Sequence, residues 1–524
     1  SGPELGRLLG VVSDFPTEAE RQAATEEPLY TQDAQHDATA PRAADAPTPP
    51  APVCWLSTQL VNEDVLEDAL ADADVPTLRA LKGVTELNLS DSRTAGRLFA
   101  DAVDASRWLP NLAKVTGLGG FEVDVAALRS VASSDGSEED EDGPQPYPMA
   151  GVRACIRGEG EAPMEVLLAA CVLRRGEARV PPSAFFEDRS ITSIALPAGL
   201  TSVGEFAFWG CSSLTSIELP AGLTSLGEDA FSGCSSMTSI ELPAGLTSLA
   251  ERAFYGCSSL TSIELPAGLT ILGRGAFVDC SSLTSIELPA GLSSLGECAF
   301  AGCSSLTSIK LPAGLTSLGE VAFCGCSSMT SIALPTGLTS IDEDAFYYCS
   351  SLTSIELPAG LTSIGHGAFR DCSSLTSIKL PAGLTSLGKE AFTGCSSITS
   401  IALPAGLTSI GEGAFKDCSS LTSIELPTGL TSLGKEAFYG CSSMSSIELP
   451  AGLTSLGRYA FYRCSSMTSI ELPAGLTSLG EGAFSGCSSL TSIALPDGFD
   501  ESILRFAQVP PSAILRFGPA VDVD

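Results

Sequence analysis

The sequence predicts a repeat solenoid, with a parallel β-sheet along one face and short strand or 3₁₀ segments along the other. Three observations carry this reading. The stretch Leu214-Thr-Ser-Ile-Glu-Leu-Pro-Ala-Gly-Leu-Thr-Ser-Leu-Gly-Glu-Asp-Ala-Phe-Ser-Gly-Cys234, with the two serines after it, recurs every 23 residues. Thirteen copies fit from Ile191 to Ser489 without an insertion or deletion. A fixed period of this length marks turns that stack and bury their apolar faces against one another. The chain is 44% hydrophobic but only 6% aromatic, which suits a core of Leu, Ile, Ala and one recurring Phe. Substitutions in the buried rows keep volume: Met237, Met329, Met444, Met467 and Ile398 replace the Leu of Leu-Thr-Ser-Ile, the kind of exchange a core accepts.

The elements follow in order. Residues 1–53 are rich in Ala, Pro, Thr, Glu and Asp and end in Pro-Thr-Pro-Pro-Ala-Pro at 47–52. They hold no sustained apolar period and are expected to form a disordered acidic arm. Residues 54–132 read as a small irregular helical and leucine-rich region. Val65, Leu66, Ala69 and Leu70 have helical spacing, Leu81 to Ser90 forms a leucine-rich unit, and Leu109 and Leu112 start another. Residues 133–150 hold Asp135 and the run Glu138 to Asp142, then three prolines; such a segment repels itself and reads as a linker. Residues 151–190 include a degenerate first repeat, with Ala184 and Phe185 in register and Asp188 in the cysteine's place. The regular repeats run over 191–499, and 500–524 break the pattern as a C-terminal cap, since a stack needs atypical ends.

Within one repeat, Leu214 to Leu219 is a strand whose aliphatics point inward and whose copies pair in parallel. Pro220-Ala221-Gly222 predicts a tight turn with proline second and glycine fourth. Leu223, Leu226, Ala230, Phe231 and Cys234 return along the opposite wall.

These residues carry a family resemblance. Cys-Ser-Ser-Leu-Thr-Ser-Ile-x-Leu-Pro with Ala-Phe-x-x-Cys, over about 180–499, resembles the BspA-like, or treponemal-type, leucine-rich repeats of bacterial surface antigens and microbial eukaryotes. The resemblance implies a right-handed leucine-rich superhelix used for protein binding, in some members for adhesion, and supplies no catalytic residues.

Composition narrows the partners. Net charge is −34, shared by both halves of the chain, which disfavours nucleic acid and other phosphate-rich partners. The longest largely apolar run, Met164 to Leu173, is about half of the ~20 residues a membrane span needs. No charged n-region with an apolar h-region opens the sequence, so no secretory signal is read from it.

Candidate chemistry is sparse. Gly383 to Glu390 and Gly429 to Glu436 come within one residue of a phosphate-binding loop, but Glu390 and Glu436 stand where Ser or Thr would hold Mg²⁺. Both segments are also ordinary repeat units. Thirteen of the eighteen cysteines are periodic, from Cys211 to Cys487. Stacked thiols point the same way, so a buried column is expected rather than a zipper of disulfides, and the spacing lacks the paired ligands of a zinc site. So many unbridged thiols favour a reducing, intracellular compartment. Cys298 and Cys324 fall off the period and are expected to be exposed. His36 lies in the arm and His366 at a variable edge, with no base and acid partners around any one hydroxyl. Neither catalysis nor a cofactor is expected.

Two surface rows remain. The outward strand position reads Ala195, Glu218, Glu241, Glu264, Glu287, Lys310, Ala333, Glu356, Lys379, Ala402, Glu425, Glu448, Glu471 and Ala494. It is either a solvated acidic face or an anionic strip for a basic segment. The position after each Phe holds Trp209, Tyr255, Tyr347, Tyr439 and Tyr462, residue types that dominate interfaces, though only in some turns. The expected function is a non-catalytic protein-binding scaffold with an acidic Thr/Ser/Glu-rich face. The alternatives are a cell-surface adhesin or antigen, and a regulatory protein whose activity lies in residues 54–132 or in a missing segment. The sequence does not give the oligomeric state.

Overall fold

The computed structural model describes residues 179–197 and 199–497, together with 86–88, 114–118, 121–129, 131, 156–157, 171, 499, 501–511 and 513–518. The chain divides into two units, 1–84 and 85–524, and every described residue lies in the second. The expected arm over 1–53, the helical spacing at Val65 to Leu70 and the linker over 133–150 lie outside the described residues.

The leucine-rich stretch around Leu87 forms β1 (Glu86–Asn88), which pairs in parallel with β2 (Lys114–Leu118). β3 (Phe121–Asp124) returns antiparallel to β2, and β4 (Ile156–Arg157) returns antiparallel to β3. A short helix, α1 (Val125–Arg129), follows β3. The Asp124 carboxylate accepts the Ala127 N–H at 2.9 Å, satisfying a donor the helix start leaves open. Val123, Val125 and Leu128 are buried.

From residue 179 the chain winds as a parallel-strand solenoid of about 14 turns, numbered here by their phenylalanines from Phe185 (turn 1) to Phe484 (turn 14). Each turn has two strand sides. On side one a three-residue strand such as Ser354–Glu356 buries only its middle Ile, and its neighbours Ser331–Ala333 and Ser377–Lys379 pair with it in parallel, Ile355 between Ile332 and Ile378. On side two a two-residue strand such as Ser363–Ile364 does the same with the second aliphatic row. The third side is a run of turns around Ala-Phe, where backbone donors reach across to the neighbouring coil. The Phe346 N–H donates to the Ala368 carbonyl of the next turn at 2.9 Å, while the Thr353 N–H donates to the Thr330 carbonyl of the previous one at 3.1 Å. Each turn is thus tied both ways, and the pairing that a single turn lacks is supplied by its neighbours.

The core is continuous along the axis. The fourteen periodic phenylalanines stack face to face, with adjacent centroids between 5.1 and 5.9 Å; Phe346 lies 5.6 Å from Phe323 and 5.5 Å from Phe369. At the C-terminal end the carbonyls of Phe506 and Ala507 accept the amides of Gly482 and Phe484, and Ile514–Gly518 pairs in parallel with Ser492–Pro496.

The proline turn differs from the sequence-based placement by one residue. Its hydrogen bond runs from the Leu223 N–H to the Pro220 carbonyl at 3.1 Å, so proline stands first and glycine third. Proline at the first position need only accept, so its missing N–H costs nothing there.

Two further positions per turn shape the third side. The residue two before each Phe and the residue two after it are left-handed in every turn, with φ of 48–63° and 56–77°. Glycine fills them in some turns, while Asp229, Val321, Tyr459, Asp417 and Arg463 fill them in others. The glycine after the second strand meets a different constraint: a Cβ at Gly388 would lie 2.3 Å from the Gly365 carbonyl oxygen. Ala250 and Asp342 occupy this row in two turns. In both, the side-two ladder to the preceding turn is interrupted: pairs join 202 to 225, 248 to 271, and then 340 onward through 478. A third interruption follows Ile271, and a bridge from Ser294 to Ser317 links turns 6 and 7. The longest unbroken side-two sheet, seven strands, therefore begins at Ser340 in turn 8.

Candidate functional site

Side one places the predicted acidic row in one line. Glu218, Glu241, Glu264 and Glu287 are exposed and occupy successive turns, with Glu264 bridged in parallel between Glu241 and Glu287. Glu425, Glu448 and Glu471 form a second exposed run, Glu425 bridged to Glu448. Adjacent parallel strands stand about 4.8 Å apart, well inside the distance over which physiological salt screens. Among the described residues none of the seven takes part in an ion pair, whereas the carboxylates that do pair, such as Glu390, Glu436 and Glu481, lie on the turn edge.

The hydroxyls beside this row have a defined polarity. The Thr284 Oγ1 donates to the Thr261 carbonyl at 3.3 Å and the Thr353 Oγ1 to the Thr330 carbonyl at 3.2 Å. With the proton engaged in the ladder, the outward lone pairs of Oγ1 remain. The glutamates and threonine oxygens of this face are acceptors, beside one exposed serine hydroxyl per strand and the two lysines Lys310 and Lys379.

The edge row after each Phe is more organised than its intermittent sequence suggests. Trp209 stacks on Phe186 at 4.6 Å. Tyr347 lies under the Arg370 guanidinium at 5.4 Å, and Tyr255 is half-buried. Tyr439 and Tyr462 stack at 4.7 Å, with Lys416 4.8 Å over the outer face of the pair and Arg463 5.2 Å from Tyr462. Tyr459 meets Tyr462 edge-on at 5.4 Å and Arg458 lies 4.7 Å over Tyr459. Sequence reasoning followed a single column and missed Tyr459, Arg458 and Arg463, which stand in neighbouring columns. No sequence signal marks them, because the left-handed positions they occupy or flank are filled by varied residues. The edge cations also pair with the next turn, Arg370 with Glu390 at 2.9 Å and Lys416 with Glu436 at 2.7 Å.

The near-miss phosphate loops form no phosphate cradle. Lys435 lies 2.9 Å from Glu412 and 3.2 Å from Glu436, and Lys389 lies 3.8 Å from Glu412. The glycine before each lysine is pressed against the preceding coil. His366 stands in the same edge row as Lys389, its carbonyl accepting the Asp344 N–H at 2.8 Å; His36 lies outside the described residues.

The cysteine column is buried, and all sixteen described cysteines are free. Each periodic thiol donates to the phenylalanine carbonyl of the previous turn, as Cys349 does to Phe323 at 3.2 Å and Cys372 to Phe346 at 3.2 Å. The same carbonyl accepts the cysteine N–H of its own turn, so both of its lone pairs are used inside the core. Cys298 and Cys324, expected at the surface, are buried too. Their variable columns sit at the rim of the third side, where other small side chains, such as Ser232, Val278 and Ala301, are buried as well. Burial pushes the Cys257 thiol up to about 12 and Cys298 to about 11. Since the thiolate is the nucleophile, a disulfide reagent at pH 8 should modify at most the two cysteines outside the described residues, Cys54 and Cys155, in the native protein and all eighteen in denaturant. Fast reaction of more than two would contradict the buried column. Among the described residues no three or more His, Cys, Asp and Glu side chains gather as a metal site would require.

Comparison with known proteins agrees with this geometry. A model of the BspA type leucine rich repeat region matches residues 179–306, 270–399 and 385–503. A leucine-rich repeat protein of Bacteroides ovatus is 31% identical, with 62% of this chain and 91% of that one covered and a TM-score of 0.54. A leucine rich cell surface protein of Faecalibacterium prausnitzii is 26% identical over 60% of this chain and 90% of that one, with a TM-score of 0.41. The T. pallidum leucine rich repeat protein is 31% identical over 36% and 87%, with a TM-score of 0.31. No curated protein matches.

Proposed function

We propose that this chain, which belongs to the BspA-type leucine-rich repeat family, is a recognition module that binds a protein partner through side one of its solenoid. The carrying observation is the in-register column of exposed, unpaired glutamates among threonine oxygens whose protons are already engaged. Such a face offers acceptors and negative charge and asks for donors and positive charge, so the partner is a protein segment rich in Lys or Arg. A basic segment laid along the column relieves the repulsion between neighbouring carboxylates as it binds.

Display at a cell surface, as an adhesin or antigen, is the setting favoured over an intracellular scaffold. Unbridged cysteines favour a reducing compartment only where they are open to oxidants. Their burial weakens that inference, because a thiol held neutral inside a core is protected from oxidants in any compartment. The resemblance to repeats of bacterial surface antigens supports the preference.

The test is replacement of Glu218, Glu241, Glu264 and Glu287 together by Gln, which keeps size and hydrogen bonding. The melting temperature is expected to rise or stay level, and capture of lysine- or arginine-rich peptides to fall and to lose its salt sensitivity. Replacing Glu138 to Glu141 controls for overall acidity. If that variant loses the peptides equally, general charge is responsible and the strip is not the site.

A further inference from the structure

We propose that the chain associates with a second copy of itself, antiparallel and two-fold, through the turn edge of turns 8 to 13. The charge distribution selects the location. Between residues 191 and 350 three bases face fourteen acids, whereas between 351 and 490 seven bases face ten. All but Lys379 of those seven bases lie on the turn edge. A chain of net charge −34 repels its own copy over much of its surface, and within the regular repeats this edge is where the repulsion is least.

The edge is also self-complementary, as a two-fold interface requires. A two-fold axis lying across the edge between turns 10 and 11 sets each column against itself and turn 8 against turn 13, 9 against 12, and 10 against 11. Glu343 then faces Arg458, Lys389 faces Glu412, and Arg370 faces Tyr439. In the next column Tyr348 faces Arg463. Among the described residues Tyr348 is one of three large hydrophobic side chains left exposed, at 46%; its ring meets Tyr347 edge-on at 6.1 Å, and a guanidinium would cover the face that remains open. Moving the axis by half a turn sets Lys389 against Lys435 or against its own copy, so the charges choose this register. Arg458 already touches Glu481 of its own chain at 3.0 Å and is shared with the second copy's carboxylate.

Sedimentation of the full chain from about 1 to 100 µM, concentrations at which a standard interface saturates, should show a monomer–dimer equilibrium. Arg458→Glu and Glu343→Arg should each weaken it by at least about tenfold, and the double variant should recover most of the loss, since swapping both charges restores the pair. Tyr348→Ser, at an exposed ring, should weaken it too. Circular dichroism and melting check that each variant folds. A monomer throughout the range, a dimer indifferent to Arg458→Glu and Tyr348→Ser, or a double variant no better than its parents overturns the proposal.

Discussion

Phe346→Ala should cost about 3 to 5 kcal/mol and split the melt into two steps. The ring is fully buried between Phe323 and Phe369 in the one continuous aromatic column. Truncation removes its burial and leaves a cavity that stacked coils on both sides prevent from collapsing. Position turns this local cost into a change of cooperativity. A solenoid holds together through nearest-neighbour interfaces, and the interface between turns 7 and 8 carries no side-two strand pair, at the turn where Asp342 stands in the close-packing glycine row. Weakening turn 8 should let turns 1 to 7 melt before the block whose seven-stranded side-two sheet starts there. Calorimetry of Phe346→Ala, set beside Phe415→Ala in the middle of that block, gives the measure: the first should broaden or divide the transition, the second should lower it as one. Equal single transitions for both would mean that the ladder gap does not divide the stack.

Much of this architecture was legible because it is periodic. The aliphatic rows, the phenylalanine column and the cysteine column each repeat at 23 residues, and a period of that kind admits few arrangements other than stacked turns. What periodicity does not encode is which hydrogen bond closes a turn. The Pro-Ala-Gly turn lies one residue from the predicted placement because Leu219 to Gly222 and Pro220 to Leu223 are both acceptable as turn sequences, and only the chain path decides between them. Cys298 and Cys324 depart from the period without being exposed, because the rim of the third side buries most small side chains and half-buries large ones. The acidic row was read directly, since alternation in a strand puts every Glu of that row on the outer face. The pairing of edge cations with carboxylates of the following turn, and the tyrosine stack between Lys416 and Arg463, needed the left-handed turn geometry that the varied residues at those positions conceal.

Asp229→Asn should stabilise the protein at neutral pH and leave it unchanged in acid. Asp229 sits at a left-handed position on the rim of turn 3 with its side chain only 5% exposed. Burial is the largest influence on its carboxyl and raises it to about 6, against the pull of Arg252 and a hydrogen bond with Ser232 that favour the charged form. Arg252 Nε lies 3.0 Å away, yet the same guanidinium is held by Glu228 at 2.7 Å and has Glu251 at 3.8 Å, so its charge stays compensated without Asp229. A carboxyl whose folded value is raised costs stability wherever both states are ionised, above pH 6. The penalty fades as pH falls through 6 and is gone below the unfolded value near 3.8. A shift of about two units corresponds to roughly 3 kcal/mol, an upper figure for what the neutral Asn isostere recovers at pH 7.5. Denaturant melts of both proteins from pH 4 to 8 should start together in acid and separate as pH rises, the variant above. If Asp229→Asn is the weaker protein at pH 7.5, attraction to Arg252 outweighs desolvation and the carboxylate is a stabilising partner in the stack.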